Sequence, residues 1–146
     1  MDLITLRVPR IRREPPLPSC RPPSQVLARV PAAAGVLVSA GEKGSAYAFR
    51  VPGGTSERSG AVPVLDIAVV DTTGAGDAYL AGFLFYLLAA GGLEGLVGDP
   101  DKLRRAVQFA TACGAATCTR AGAIGAQPTA AEAEALLERA GLNAGP

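Results

Sequence analysis

From residue 34 onward, hydrophobic and polar positions fall into blocks that read as strands first and helices after. Gly35-Val36-Leu37-Val38-Ser39-Ala40 is a short, apolar, β-branched run, and Gly41-Glu42-Lys43-Gly44 follows it. A run of that kind bounded by glycine predicts a buried strand and a tight turn. Ser45-Ala46-Tyr47-Ala48-Phe49-Arg50 then alternates and suggests a second strand, so that the pair could be a hairpin. Residues 52–60 read as a polar loop. Residues 61–70 read as extended again, with Val69-Val70 as a buried strand end.

The second half changes period. An apolar helix is predicted over 78–90, and residues 91–98 form a flexible, glycine-rich connection. Asp99-Pro100 supplies an N-cap and a proline at the first helical position, opening a helix over 100–118. Leu103, Ala106, Val107, Ala110, Cys113 and Gly114 recur on one face of it. Residues 119–127 are a loop. Thr129-Ala130-Ala131-Glu132 matches a capping box, so a last helix runs to about Ala140 and stops at Gly141. Strands followed by helices suggest the terminal part of an α/β sheet.

The first 33 residues are different. Residues 1–30 hold six arginines against Asp2 and Glu14, and seven of the 12 prolines lie between Pro9 and Pro31. Proline interrupts both helix and sheet bonding, which predicts a disordered or loosely attached leader over 1–33. The globular part is then 34–141, with 142–146 as a tail. The leader reads as an unstructured extension; a transit-type peptide is the alternative, which would change a cytoplasmic location to a plastid.

Composition removes much chemistry. There is no histidine among the 146 residues, so no Ser-His-Asp triad and no His-ligated zinc can form. The formal net charge of +1 points to no nucleic acid, and the arginine-rich leader lacks aromatics for base stacking. The uncharged run from Ala78 to Leu93 is shorter than the roughly 20 residues a membrane span needs, so a buried core helix is expected and no membrane partner. Cys20, Cys113 and Cys118 form no C-x-x-C pair and read as free thiols.

The segment that carries chemistry is Asp71-Thr72-Thr73-Gly74-Ala75-Gly76-Asp77, between the extended stretch and the helix. Gly74-Ala75-Gly76 has little side-chain bulk, so a ligand can approach the backbone. The first N–H groups of a helix lack intrahelical partners and, with the dipole, favour an anion. A carboxylate at the same place would repel a bound phosphate. It makes sense if Asp77 accepts the proton of a hydroxyl that attacks the phosphate. The plainer reading is a glycine turn with a first-turn helix acid. A P-loop NTPase is disfavoured because G-x-x-x-x-G-K-[ST] is absent, and a dinucleotide fingerprint fails because Tyr79 stands where its last glycine would be.

The string Asp71 to Asp77 resembles the second signature of the PfkB carbohydrate kinases, the ribokinase-like family, in full. The surroundings look most like its fructokinase branch. Val38 to Gly44 resembles the segment that contacts ATP phosphate and ribose, and Phe109 to Ala115 with Thr119 to Ala123 resemble the adenine-side helix and loop. The resemblance implies an α/β fold, the C-terminal part of a ribokinase-like three-layer (Rossmann-like) fold. It implies Asp77 as catalytic base and the amides of Gly74, Ala75 and Gly76 as the anion hole. Ser39, Gly41, Gly44, Gly76 and Thr111 would bind nucleotide. Asp71, Thr73, Thr117, Arg120 and Gly122 would correspond to a monovalent-cation site. For Arg120 a solvated surface charge is the alternative, and for Ser39 and Thr117 plain turn or cap bonding. The implied cofactors are ATP and Mg²⁺, with K⁺ as the monovalent ion, and the implied substrate is a sugar, fructose first.

Two departures bear on activity. Thr111 stands where the family commonly has Asn. The family's N-terminal half, with its sugar-binding residues and an Asn-x-x-Glu motif, has no counterpart, since Asn143 is the single asparagine. The expectation is therefore a truncated sugar kinase, weak or inactive alone. A half sheet would also expose an apolar edge and face unless a homodimer or a complementary half covered them. The alternative is a non-catalytic nucleotide-binding or dimerising regulatory fragment.

Overall fold

The computed structural model describes residues 2–7 and 22–142. A four-stranded sheet has the order β1 (Asp2–Arg7), β2 (Ala33–Ser39), β3 (Ser45–Arg50) and β4 (Glu57–Val62). β1 runs parallel to β2, and β2, β3 and β4 are antiparallel in succession. The expected hairpin is present, with Ser39 paired to Ser45 beside its turn. β2 is buried on both faces, which is why it reads as a continuous apolar run.

The two faces of β2 meet different layers. Leu37 points with Tyr47, Phe49 and Val62 into a core shared with helices α2 (Ala75–Ala89), α3 (Leu93–Val97) and α4 (Pro100–Thr117). Phe49 and Phe83, both fully buried, stack there with ring centroids 5.7 Å apart. Val36 and Val38 point the other way, with Ala48, onto Leu27 of helix α1 (Pro23–Arg29). Helix α5 (Ala130–Arg139) packs outside α4, and Ala133, Leu136 and Leu137 close a second core against Ala112 and Cys113. The result is helix, sheet and helices in three layers.

Helix ends follow local chemistry. Asp99 accepts from the N–H groups of Asp101 and Lys102 at 2.9 and 3.2 Å. The Thr129–Glu132 capping box is formed in both directions. Cys113 is a buried thiol and Cys118 is half-buried, neither in a disulfide, while Cys20 lies outside the described residues. Among the described residues no helix is long and apolar enough to cross a membrane.

Several expectations differ from the structure. Two elements lie within the stretch expected to be unstructured. Pro22-Pro23 starts α1 rather than breaking it, since proline is tolerated at the first helical position, and Leu27 is then 1% exposed. β1 pairs along β2. Residues 8–21 of that stretch lie outside the described residues. The apolar face expected to be bare is the one that α1 covers; the exposed apolar side chains Leu84, Phe85 and Leu88 belong to α2 instead. β4 begins inside the expected polar loop, because Glu57 pairs with Arg50. The glycine-rich connection contains α3, held by the buried Leu96 and Val97. Val69 and Val70 are not a buried strand end: they are 57% and 63% exposed. Among the described residues no strand pairs with them, and the Val70 N–H donates instead to the Cys118 carbonyl at 2.8 Å. Leu142, assigned to the tail, accepts from Arg105 Nη1 at 2.8 Å, and residues 143–146 lie outside the described residues.

Candidate functional site

The loop from Asp71 to Asp77 is built around the first of its two carboxylates. Asp71 Oδ1 accepts from the Thr73 N–H at 3.0 Å and from the Thr73 hydroxyl at 2.7 Å. Its Oδ2 accepts from the Gly122 N–H at 3.0 Å, fifty-one residues away. Three donors favour the ionised form. The Gly122 amide first, then the Thr73 amide and hydroxyl, hold the carboxyl down at about 2 against an ordinary 3.8. The Val70 and Asp71 N–H groups both donate to the Cys118 carbonyl. The loop is thus tied twice to the end of α4 and the segment after it.

The chain then turns at Gly74, with φ 80° and ψ −5°, and enters α2. A Cβ at Gly74 would lie 3.2 Å from Gln127 Nε2 and 3.3 Å from Ala123, so the loop packs closely on the 122–127 segment. The Ala78 N–H closes the first intrahelical bond onto Gly74 at 2.9 Å. The N–H groups of Ala75, Gly76 and Asp77 have no acceptor inside the helix. That of Ala75 donates to the Thr72 carbonyl at a long 3.3 Å. Asp77 is exposed in this first turn. The arrangement offers an anion a helix N-terminus and a bare approach, and offers a hydroxyl beside it an accessible carboxylate. Gly74 is buried against Ala123 and Gln127 while Ala75 and Gly76 are half-buried, so it is the first-turn amides of α2 that a nucleotide phosphate would meet.

The second group of predicted residues forms the turn between β2 and β3. Gly41, Glu42 and Lys43 are exposed, Ser39 is half-buried, and Gly41 and Gly44 take positive φ of 56° and 84°. Gly44 is packed on the end of β4, where a Cβ would come within 2.3 Å of the Val62 carbonyl. Thr111, expected to meet nucleotide, is 8% exposed and has its hydroxyl engaged inside. It donates to the Val107 carbonyl at 2.8 Å and lies 3.0 Å from Ser45 Oγ.

The five residues expected around a monovalent cation do not all converge. Asp71, Thr73 and Gly122 are brought together. The Thr117 hydroxyl is fully buried and donates to the Cys113 carbonyl at 2.9 Å, the i−4 bond common for threonine inside a helix. The Arg120 side chain pairs with Glu132 at 3.1 Å on the surface. The Thr129 amide and hydroxyl and then Arg120 hold that glutamate below its usual range. Among the described residues no three Asp, Glu, His or Cys side chains form a metal cluster. Sequence reasoning missed Ser45, Tyr79, Gln127 and the Cys118 carbonyl. A serine at the start of an otherwise apolar alternation was the one available signal.

Known proteins similar to this chain are carbohydrate kinases. The profile of the pfkB family carbohydrate kinase matches residues 19–130. Probable fructokinase-5 of Arabidopsis thaliana is 41% identical over 104 residues, which are 70% of this chain and 29% of that protein. Probable fructokinase-6, chloroplastic, of the same plant is 47% identical over 104 residues, 70% of this chain and 25% of its own length. The crystal structure of fructokinase with bound ATP from Xylella fastidiosa superposes with a TM-score of 0.69 at 27% identity, over 81% of this chain and 37% of that one. Fructokinase from Vibrio cholerae, in a fructose, ADP and calcium ion bound form, gives 0.62 at 33% identity, over 77% and 33%. The chain therefore spans less than a third of the length of these curated relatives.

Proposed function

The chain belongs to the pfkB family of carbohydrate kinases, and from that premise we propose that it supplies the nucleotide side and the phosphoryl-transfer loop of an ATP-dependent sugar kinase, with fructose as the preferred acceptor. In this reading the sugar hydroxyl oxygen bonds to the γ-phosphorus as the bond to the β,γ-bridging oxygen breaks. The hydroxyl proton passes to the Asp77 carboxylate, and ADP leaves. The first-turn amides of α2, at Ala75 and Gly76 with Gly74 ahead of them, hold the charge that builds on the transferred group. Ser39, Gly41 and Gly44 line the nucleotide. Asp71 and Thr73, with the Gly122 segment, are the groups that would face a monovalent cation, and Mg²⁺ with ATP would neutralise phosphate charge.

One observation carries the reading. Asp77 is exposed at a helix mouth whose loop is held open by the three hydrogen bonds to Asp71. The choice of fructose rests on the names of the relatives.

Two measurements test it. ATP binding in Mg²⁺, by calorimetry, is the property that belongs to this chain by itself, and a dissociation constant in the millimolar range or tighter is expected. Absence of binding at millimolar ATP overturns the proposal. Fructose-dependent ADP release tests the transfer step. Asp77→Asn should lower it by roughly 10²–10⁴-fold with ATP affinity retained. ATP binding with no fructose-dependent release, even with a complementary sugar-binding half supplied, would assign the chain to the non-catalytic, nucleotide-binding reading.

A further inference from the structure

Two glycines let α2 and α4 run close together, and they do so at different places along the pair. Gly82 on α2 faces the middle of α4, where a Cβ would come within 2.8 Å of Cys113 Sγ and 3.1 Å of the Ala110 Cα. Gly114 on α4 faces the first turn of α2 instead. A Cβ there would lie 3.0 Å from the Ala75 carbonyl oxygen and 3.5 Å from the Tyr79 Cβ. Glycine is a poor residue for a helix interior, so its place inside α4 calls for a packing reason. At Gly114 that reason is a backbone oxygen, which cannot rotate away as the end of a side chain can.

That oxygen belongs to the peptide unit joining Ala75 to Gly76. The unit is planar and trans, so its carbonyl and the Gly76 N–H sit at opposite edges of one rigid plate. A Cβ at Gly114 would force the oxygen to give by a few tenths of an ångström. The plate then tilts and carries the Gly76 hydrogen the opposite way. The Ala75 N–H leans on the Thr72 carbonyl at 3.3 Å, whereas that of Gly76 makes no hydrogen bond among the described residues. It is the donor left for an anion at the helix mouth. We infer that Gly114 is a positioning residue for phosphoryl transfer: by leaving the Ala75 oxygen undisturbed, it keeps the Gly76 N–H aimed at the γ-phosphoryl group. Gly114 touches no substrate and acts through this one peptide. The inference rests on the reading of the α2 mouth as the phosphate site given above.

The test compares Gly114→Ala with Gly82→Ala, by calorimetric titration with ATP and with ADP and by thermal unfolding. Gly114→Ala should weaken ATP binding by roughly 3- to 10-fold, the effect of misplacing one hydrogen bond. It should leave ADP binding unchanged, because ADP lacks the γ-phosphoryl group. A merely structural loss would lower the folded fraction and weaken both nucleotides alike. Gly82→Ala carries the tighter contact, so it should lower the unfolding temperature at least as far while keeping the wild-type ratio of ATP to ADP affinity. Equal loss of ATP and ADP in Gly114→Ala, no loss of either, or the same selective loss in Gly82→Ala overturns the inference. So does a Gly114→Ala chain that fails to fold, since a tilt confined to one peptide leaves the helices in place. The wild type gives an independent reading by NMR: the Gly76 amide resonance should shift with ATP and barely with ADP, and an equal response to the two refutes the inference without any variant. A wild type that binds neither nucleotide removes the phosphate reading itself, whereas ATP binding without the selective loss leaves that reading standing and refutes this one alone.

Discussion

The most exacting test of the loop geometry is Gly74→Ala, read against Gly53→Ala. Both glycines have positive φ, 80° and 72°. Placing an L-residue there costs roughly 1–2 kcal/mol, offset by about 0.4–1 kcal/mol from the stiffer unfolded chain. At Gly53 nothing lies within 4 Å of the added Cβ, so that balance is the whole effect, on the order of 1 kcal/mol or less. At Gly74 the methyl would also meet Gln127 Nε2 at 3.2 Å and Ala123 at 3.3 Å. Gln127 can move only by loosening its 3.0 Å bond to the Ala123 carbonyl, worth about 0.5–1.5 kcal/mol. Ala123 can move only by drawing on Gly122, whose N–H holds Asp71. The expected loss at Gly74 is therefore about 2–3 kcal/mol, a fall in unfolding temperature of roughly 5–10 °C for a chain of this size. Urea unfolding at unchanged m-value measures both variants. A Gly74→Ala midpoint corresponding to within about 0.5 kcal/mol of Gly53→Ala would show that the loop is not packed against residues 122–127 as described.

Two further outcomes follow from the titrating groups. The Asp71 carboxyl is depressed in the folded chain to about 2, below its ordinary 3.8, so its contribution is complete above the ordinary value and vanishes as pH falls through the folded one. The stability gap between wild type and Asp71→Asn should therefore be flat above about pH 4 and close towards about pH 2; a gap that widens on acidification contradicts the three-donor geometry. Burial pushes the Cys113 thiol up to about 11, leaving a thiolate fraction of about 10⁻³ at pH 8. Iodoacetamide should alkylate the half-buried Cys118 well before Cys113 in the native chain, as peptide mass mapping would record, and equal native rates would contradict the burial of Cys113.

What could be read from the sequence was local. The Asp99 cap, the Thr129–Glu132 box, the β2–β3 hairpin and the seven-residue loop each depend on residues within a few positions, and each is present. What could not be read depends on distant partners. Helix α3 is a glycine-flanked pentapeptide with little propensity of its own, and it forms because Leu96 and Val97 find a core made by other elements. Helix α1 looks like part of a proline-rich tail until Leu27 meets the far face of β2. The site divides in the same way. Asp71 and Thr73 are two positions apart, so their contact was implied by the motif. Thr117 and Arg120 carry groups that could serve a cation, but the carbonyl one turn back and a glutamate on α5 claim them first.

In the proposed mechanism the two carboxylates of the loop serve two functions. Asp71 is saturated by donors and held ionised at about 2, so near neutral pH it has almost no tendency to accept a proton. It is therefore the wrong group for a general base, and its value lies in the shape it imposes through Thr73, Gly122 and the backbone at Cys118. Asp77 stands at the other end of the same string, exposed in the first turn of α2, and in the proposed mechanism it is the group that takes the hydroxyl proton. The two carboxylates differ in what meets them: Asp71 accepts from Thr73 and Gly122, whereas Asp77 is exposed beside the helix mouth. The division also predicts how each should fail. Removing Asp71 should loosen the loop and weaken ATP binding and transfer together. Removing Asp77 should stop transfer and leave the nucleotide bound. A measured Asp71→Asn variant that lost transfer alone, at unchanged ATP affinity and unfolding temperature, would reverse the assignment and make Asp71 the reacting acid.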